Sequence, residues 1–269
     1  GVLLAAPLAH THAQAVSDGA TGFSLGAART LAEQTAVRFA VDLIKQINLQ
    51  EVQIDRPRWL VFFTPEVNLE TGAGTFSSIV AKVTATALVF DTVVVAGVTT
   101  PDSRFFHMVP VSGGIEANKS FNTVNGMIEA GWTPWFQGIV PPILKSAKVG
   151  VFVQGGYKFD RDTTRTTAGS ASPQPGDESS EGEDQALFRL KASVRWNPII
   201  ELPETRLRIL TAADGWLDLA NGRQYYRLEG TVRLALFQNN FMDFKWERGS
   251  GAPVFNRGDQ FSANLTVLF

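Results

Sequence analysis

The sequence predicts an all-β fold: an antiparallel transmembrane β-barrel of about ten strands, with eight to twelve open, preceded by an N-terminal amphipathic helix. Three observations carry that expectation. The C-terminal half reads as six successive stretches in which apolar and polar residues alternate with period two, the spacing of side chains on the two faces of a strand. The connections between these stretches alternate long and short, as loops on opposite sides of a membrane barrel do. Mean hydropathy is only +0.01 although 10% of residues are aromatic and 24 are glycine, which suits a wall where every second residue meets lipid.

Residues 1–15 (GVLLAAPLAHTHAQA) carry an apolar run followed by Ala13-Gln14-Ala15, a small-x-small pattern that signal peptidase accepts. They are expected to be the tail of a secretory signal cleaved after Ala15. His10 and His12 would leave with it, so their spacing is not read as a metal site. Residues 16–57 form an N-terminal segment. Within it, Leu25, Ala28, Ala32, Ala36, Phe39, Ala40, Leu43 and Ile47 recur at three- and four-residue steps, which favours a helix over 25–48 with Arg29, Glu33, Arg38, Asp42 and Lys45 on its other face. Such a helix could cap or plug a barrel; pairing as strands is the other option for this stretch.

Residues 58–269 are expected to form the barrel. Residues 59–70 begin it, and 71–74 (TGAG) give a turn signal. The apolar run at 79–98 contains Lys82, Asp91 and many Val and Thr residues, so it reads as one or two strands rather than a membrane helix. Residues 105–111 and 115–132 read as strands separated by Ser112-Gly113-Gly114, and Trp132, Trp135 and Phe136 fall where an interfacial aromatic girdle would sit. The connection 133–147, containing Pro141-Pro142, is long for a simple meander.

The six clear strands follow. Val149, Val151, Val153, Tyr157 and Phe159 alternate with Gly150, Gln154, Gly156 and Lys158, and Phe152 alone breaks the polar face. Phe188 to Trp196 alternate with Arg189, Lys191, Ser193 and Arg195. Leu207 and Ile209 alternate with Arg206 and Arg208; Tyr226 to Leu236 with Arg227, Glu229, Thr231 and Arg233; Met242, Phe244 and Trp246 with Asp243, Lys245 and Glu247. In the last stretch Phe261, Ala263, Leu265, Val267 and Phe269 alternate with Ser262, Asn264 and Thr266. If that strand ends in the periplasm, the connections at 248–258, near 218–223 and at 161–184 are external, while 197–203 and 238–239 are internal. The longest, 161–184, is Ser-, Pro- and acid-rich and falls outside, as the pattern requires.

On these residues, and above all on Phe261, Leu265, Val267 and Phe269, the chain resembles Gram-negative outer-membrane β-barrel proteins of the porin-like class, whose last strand commonly ends in an aromatic residue. That resemblance implies that these four residues signal assembly to the barrel-insertion machinery. It also implies integral residence in the bacterial outer membrane among lipid and lipopolysaccharide, with room for a surface or periplasmic protein partner.

The inward-parity set of the C-terminal half is Arg189, Lys191, Arg195, Arg206, Arg208, Arg227, Glu229, Arg233, Asp243, Lys245 and Glu247, eight of them basic. Facing lipid, each would cost about 2–4 kcal/mol near the midplane, so the parity is forced. A basic wall around water would make a small diffusion channel that prefers anions. A lumen filled by Arg–Glu and Lys–Asp pairs would instead make a closed barrel, a structural anchor or the membrane subunit of a surface complex. Enzymatic readings have less to stand on. Outer-membrane phospholipases and lipid A deacylases are similar in size and architecture and use a Ser activated by a His, but here His107, with Ser103 and Ser112 nearby in sequence, lacks the H-x-S arrangement. No catalytic residue, cofactor or metal site is therefore expected. The cluster Asp177, Glu178, Glu181, Glu183 and Asp184 lacks the spacing of a calcium loop. The absence of Cys excludes thiolate chemistry, and a net charge of -2 gives no footprint for nucleic acid.

Overall fold

A computed structural model describes residues 21–30, 35–44, 47–48, 59–71, 78–95, 97–118, 121–135, 140–141, 144, 146–160, 185–201, 206–237, 239–250, 255 and 257–269. The expected signal segment and the acidic cluster at 177–184 lie outside these residues. The strands are β1 (Gly22–Thr30), β2 (Thr35–Ile44), β3 (Ile47–Asn48), β4 (Trp59–Thr71), β5 (Ser78–Val95), β6 (Val98–Asn118), β7 (Thr123–Trp135), β8 (Ala147–Asp160), β9 (Gln185–Trp196), β10 (Ile199–Glu201), β11 (Arg206–Asp218), β12 (Gln224–Phe237), β13 (Asn240–Ser250) and β14 (Arg257–Leu268).

All pairings are antiparallel, and they close: β1 pairs with β14 as well as β2, and β11 pairs with β9 as well as β12. β3 continues the register of β2 along β4, and β10 continues that of β9 along β11. Each short piece is thus the tail of the strand before it. Pro198 has no N–H to give the ladder, which accounts for the break between β9 and β10. The result is a twelve-strand meander barrel.

Gly22 pairs with Leu268, and the Phe269 N–H donates to the Thr21 carbonyl at 2.8 Å, so the first and last strands meet at one end. From there, the connections 161–184, 219–223 and 251–256 join strands at the opposite end, and 202–205 and 238–239 join them at the end of Phe269; the sides are those the sequence predicts, but the turn expected at 197–203 falls later because 199–201 form β10. Each strand follows the pleat. On β14, Phe261 and Leu265 are exposed on the outside while Gln260, Ser262, Asn264 and Thr266 are buried inside. Outward positions elsewhere carry Leu25, Val37, Phe39, Leu43, Val67, Ile128, Val151, Leu190 and Phe244, all exposed, and inward positions are largely polar and buried. With apolar side chains outside and polar ones inside, the wall is that of a membrane-spanning β-barrel.

The sequence reading needs three corrections. The described residues of 25–48 are strands and not a helix: 22–30 and 35–44 are β1 and β2, and the barrel begins there rather than at 58. The alanines at 28, 36 and 40 fit a three- or four-residue spacing, but Val37-Arg38-Phe39-Ala40-Val41-Asp42-Leu43 also alternates, and strand pairing decides because a barrel satisfies its backbone only by closing. With these two strands the count is twelve, within the eight to twelve expected. The separation between strands expected at 112–114 falls instead between Asn118 and Thr123, where the Asn118 carbonyl accepts from the Phe121 N–H at 3.0 Å and its Oδ1 accepts from the Asn122 N–H at 2.9 Å. Gly114 sits within β6, where a Cβ would come 2.3 Å from the Ala81 carbonyl oxygen, so it marks close strand approach. Finally, the long connection after β7 does not interrupt the meander: β7 pairs directly with β8.

Candidate functional site

Among the described residues, most charged side chains face the interior. Inward alternation on β12 and β13 brings Arg227, Glu229, Arg233, Asp243, Lys245 and Glu247 to one wall, and β2 and β4 contribute Arg38, Asp42, Glu66, Asn68 and Glu70 from across β14 and β1. Between them the inward face of β1 is Gly22, Ser24, Gly26 and Ala28. Residues this small leave room for long side chains to span the gap. Arg38 bonds Glu70, donates to Ser262 Oγ at 2.6 Å and lies 3.4 Å from Glu247. Arg227 reaches Glu247 at 2.5 Å, Glu229 at 2.7 Å and Glu70 at 3.5 Å. Lys245 is 2.6 Å from Glu247, 3.3 Å from Glu229 and 3.6 Å from Glu70, and Gln260 Nε2 donates to Glu247 at 2.5 Å.

A second unit lies toward the end of Phe269. Arg233 donates to both oxygens of Asp243 at 2.8 and 2.9 Å, and Thr266 adds a third bond to that carboxylate at 2.7 Å. Asn68 bonds Asp42 beside it. Across the lumen, Arg195 pairs with Asp214 at 2.7 Å and Lys82 with Glu66 at 3.4 Å. Lys191 lies 3.7 Å from Glu129, which also accepts from Gln154 at 2.7 Å. Arg38, Arg233, Glu247 and Gln260 are at most 1% exposed, so water does not reach them.

Aromatic residues fill the two ends. Phe62, Leu88, Phe106 and Met108 pack inside with Phe90 and Trp135 at the end of the termini. At the opposite mouth Phe255, from the connection between β13 and β14, is buried against Trp216 and Tyr225 at ring distances of 5.3 and 4.5 Å, and the Arg189 guanidinium lies 4.5 Å from its ring.

Every predicted inward residue with a described side chain lies inside. Arg189 sits in the mouth; Lys191 lies between the rings of Phe152 and Trp216 at 5.4 and 5.7 Å; Arg208 is half-buried opposite Arg233. Arg206 is two residues earlier in β11, with its side chain outside the described set. Sequence reasoning missed the acids that answer these bases: Asp42, Glu66, Glu70, Glu116, Glu129 and Asp214. The signal was present in Glu66-Val67-Asn68-Leu69-Glu70, which alternates as cleanly as any later strand. With them the interior approaches electrical balance, and the basic excess read from the C-terminal half shrinks.

His107 lies on the outer face, where its Nδ1 accepts from Trp132 Nε1 at 3.1 Å. Ser112, an odd number of residues away on the same strand, is buried on the inner face, so the two cannot form a nucleophile–base pair. Ser103 lies outside the described side chains. Among the described residues, no group of His, Cys, Asp and Glu has the arrangement of a metal site.

No family model matches the chain, and no curated protein matches it. Among solved structures it is similar to the NanC porin, at 8% identity over 92% of this chain and 99% of that one with a TM-score of 0.42. It is also similar to the KdgM porin, at 6% over 92% and 99% with a TM-score of 0.40. Outer membrane phospholipase A from Escherichia coli gives 8%, 92% of both chains and a TM-score of 0.49.

Proposed function

We propose that this chain is an integral outer-membrane barrel whose interior is closed by buried ion pairs, and that it serves as a membrane anchor or the membrane subunit of a surface assembly rather than as an open pore. The observation that carries this reading is the pairing of Arg227 and Lys245 with Glu70, and of Arg38 with Glu247, across the lumen by buried side chains. Ions need a continuous aqueous path, and the space they would use at this level is occupied by protein. Binding then falls to the connections at the outer end, including the long one at 161–184.

A diffusion channel is the second reading, and one observation favours it. Side chains on the far wall keep some exposure, 16% for Lys82, 11% for Lys191 and 16% for Arg195. Each has an acid beside it, so a passage along that wall would be nearly charge-balanced and only weakly anion-preferring. A lipid-modifying enzyme has the least support, because Ser112 and His107 occupy opposite faces of one strand.

Single-channel recording of residues 16–269 in a planar bilayer separates these readings. The closed barrel inserts and stays silent, and Arg227→Ala with Glu247→Ala produces discrete conductance steps. Steps from the unaltered protein with a reversal potential displaced toward the anion value would replace the anchor with the channel.

A further inference from the structure

From β12 round to β5, every inward base with a described side chain already has its acid. Arg38, Arg227 and Lys245 share Glu70, Glu229 and Glu247, three against three. Arg233 has Asp243, and Lys82 has Glu66. Asp42 is the carboxyl left over. It is 1% exposed on the inner face of β2, and among the described residues no cation forms an ion pair with it.

Its polar contact is Asn68, directly across the β2–β4 ladder, whose Nδ2 donates to Asp42 Oδ1. The other two atoms of this pair, Asp42 Oδ2 and Asn68 Oδ1, are buried, and no described donor reaches either. An ionised carboxylate only accepts, so these two oxygens cannot answer each other. A single proton on Oδ2 changes that. The carboxyl gains an O–H to donate, and the amide oxygen of its partner is an acceptor in want of one.

The surrounding charges act in the same direction. Asn68 lies between Glu66 and Glu70 on the inner face of β4, and Asp243 stands on β13. The cations that could offset a charge on Asp42 are engaged: Lys245 is 2.6 Å from Glu247, Arg38 is 3.4 Å from Glu247 and bonded to Glu70, and Arg233 donates to both oxygens of Asp243. β1 and β14 present Gly22, Ser24, Thr266 and Leu268 here, none of them titratable. An ionised Asp42 would thus be a buried carboxylate beside two others, without a base of its own.

We propose that Asp42 carries a proton in the folded barrel and donates it to Asn68 Oδ1, so that a neutral acid–amide pair clasps β2 to β4 and opens when the carboxyl ionises. The clasp makes the barrel sensitive to pH near the end that holds the termini. It requires the barrel fold alone and is independent of whether the interior conducts.

The test is infrared spectroscopy of the full chain refolded in phosphatidylcholine vesicles, with isotope label in its aspartate carboxyls. A protonated-carboxyl C=O band is expected at neutral pH, lost in Asp42→Asn and moved to higher frequency in Asn68→Leu, which takes the acceptor away. Absence of the band from the unaltered chain overturns the proposal, as does a band undiminished by Asp42→Asn or unmoved by Asn68→Leu. An amide at position 42 presents N–H where the acid presents O–H, so Asp42→Asn is expected to insert normally, and its failure to do so also overturns the clasp. If Asn68→Leu does not insert, urea titration of the other two chains across pH decides. The unfolded chain releases this proton above about pH 4 while the folded chain keeps it, so stability falls as pH rises. Relative to Asp42→Asn, the folding equilibrium constant of the parent is expected to drop about tenfold per pH unit, levelling off where the clasp itself ionises. A ratio that stays constant from acid to neutral pH overturns the proposal. Stabilisation of the parent, but not of Asp42→Asn, by sodium or calcium ion would make the bridging species a metal and likewise end it. A chain that enters no vesicle sinks the membrane reading itself.

Discussion

Replacing Glu247 with Ala is the sharpest probe of the closed interior. Glu247 is fully buried and answers three cations, Lys245 at 2.6 Å, Arg227 at 2.5 Å and Arg38 at 3.4 Å, as well as the Gln260 amide. Its loss leaves those three positive groups with two described carboxylates, Glu70 and Glu229. Removing one partner of a buried pair typically costs about 3–5 kcal/mol, because the remaining charge stays desolvated. The cost here is expected in that range. The double variant Arg227→Met with Glu247→Leu leaves Arg38 and Lys245 against Glu70 and Glu229, so charge is restored. It should therefore cost less than the sum of the single variants, with a coupling of about 1–3 kcal/mol. Urea titration in vesicles, followed by tryptophan fluorescence and by the shift of the folded band on unheated gels, reads both quantities. A Glu247→Ala barrel within about 0.5 kcal/mol of the parent, or strictly additive single costs, would refute the reasoning.

Two further outcomes follow from the wall. Ile128 is outward and 65% exposed, so Ile128→Arg should lower stability by about 2–4 kcal/mol in the same titration; an unaffected midpoint would mean that this face does not meet hydrocarbon. Deleting Phe269 removes an N–H bond to Thr21 and a ring 6.0 Å from that of Phe23. Insertion by the barrel machinery should slow markedly, and an unchanged rate of appearance of the folded band would deny the residue a part in assembly.

The strands that were easiest to read are those whose two faces differ most. From 149 onward, bulky apolar residues alternate with arginine, lysine and glutamate, and each such stretch is a strand with the predicted face inward. β1 was harder because its inward face is Gly, Ser, Gly and Ala. Residues that small satisfy almost any periodicity, and only the register with β14 and β2 fixes them. The misreading also hid part of the site. A helix puts Arg38 and Asp42 on one solvent-facing side, whereas the strand puts them inside with Glu70 and Asn68 as partners. Charge complementarity between Glu70 and Lys245 is a long-range fact, since neither residue's neighbours in sequence carry any trace of it. Phe255 shows a different limit, because its burial in the mouth follows from a backbone conformation with φ of 59° that its sequence does not announce.

The small inward face of β1 has a consequence for how the barrel shuts. Its first and last strands are the two ends of the meander, joined to each other by the β1–β14 ladder, and Arg38, ahead of that seam, grips Ser262 and Glu247 behind it. Glu70 does the same for Arg227 and Lys245. None of these bonds can exist while the edges are apart, so they act as a latch across the seam that the hydrogen-bond ladder closes. Contacts that form late slow opening more than they hasten closing. A barrel built this way resists coming undone at its weakest line, and its endurance in the membrane is set by the rate at which that latch releases.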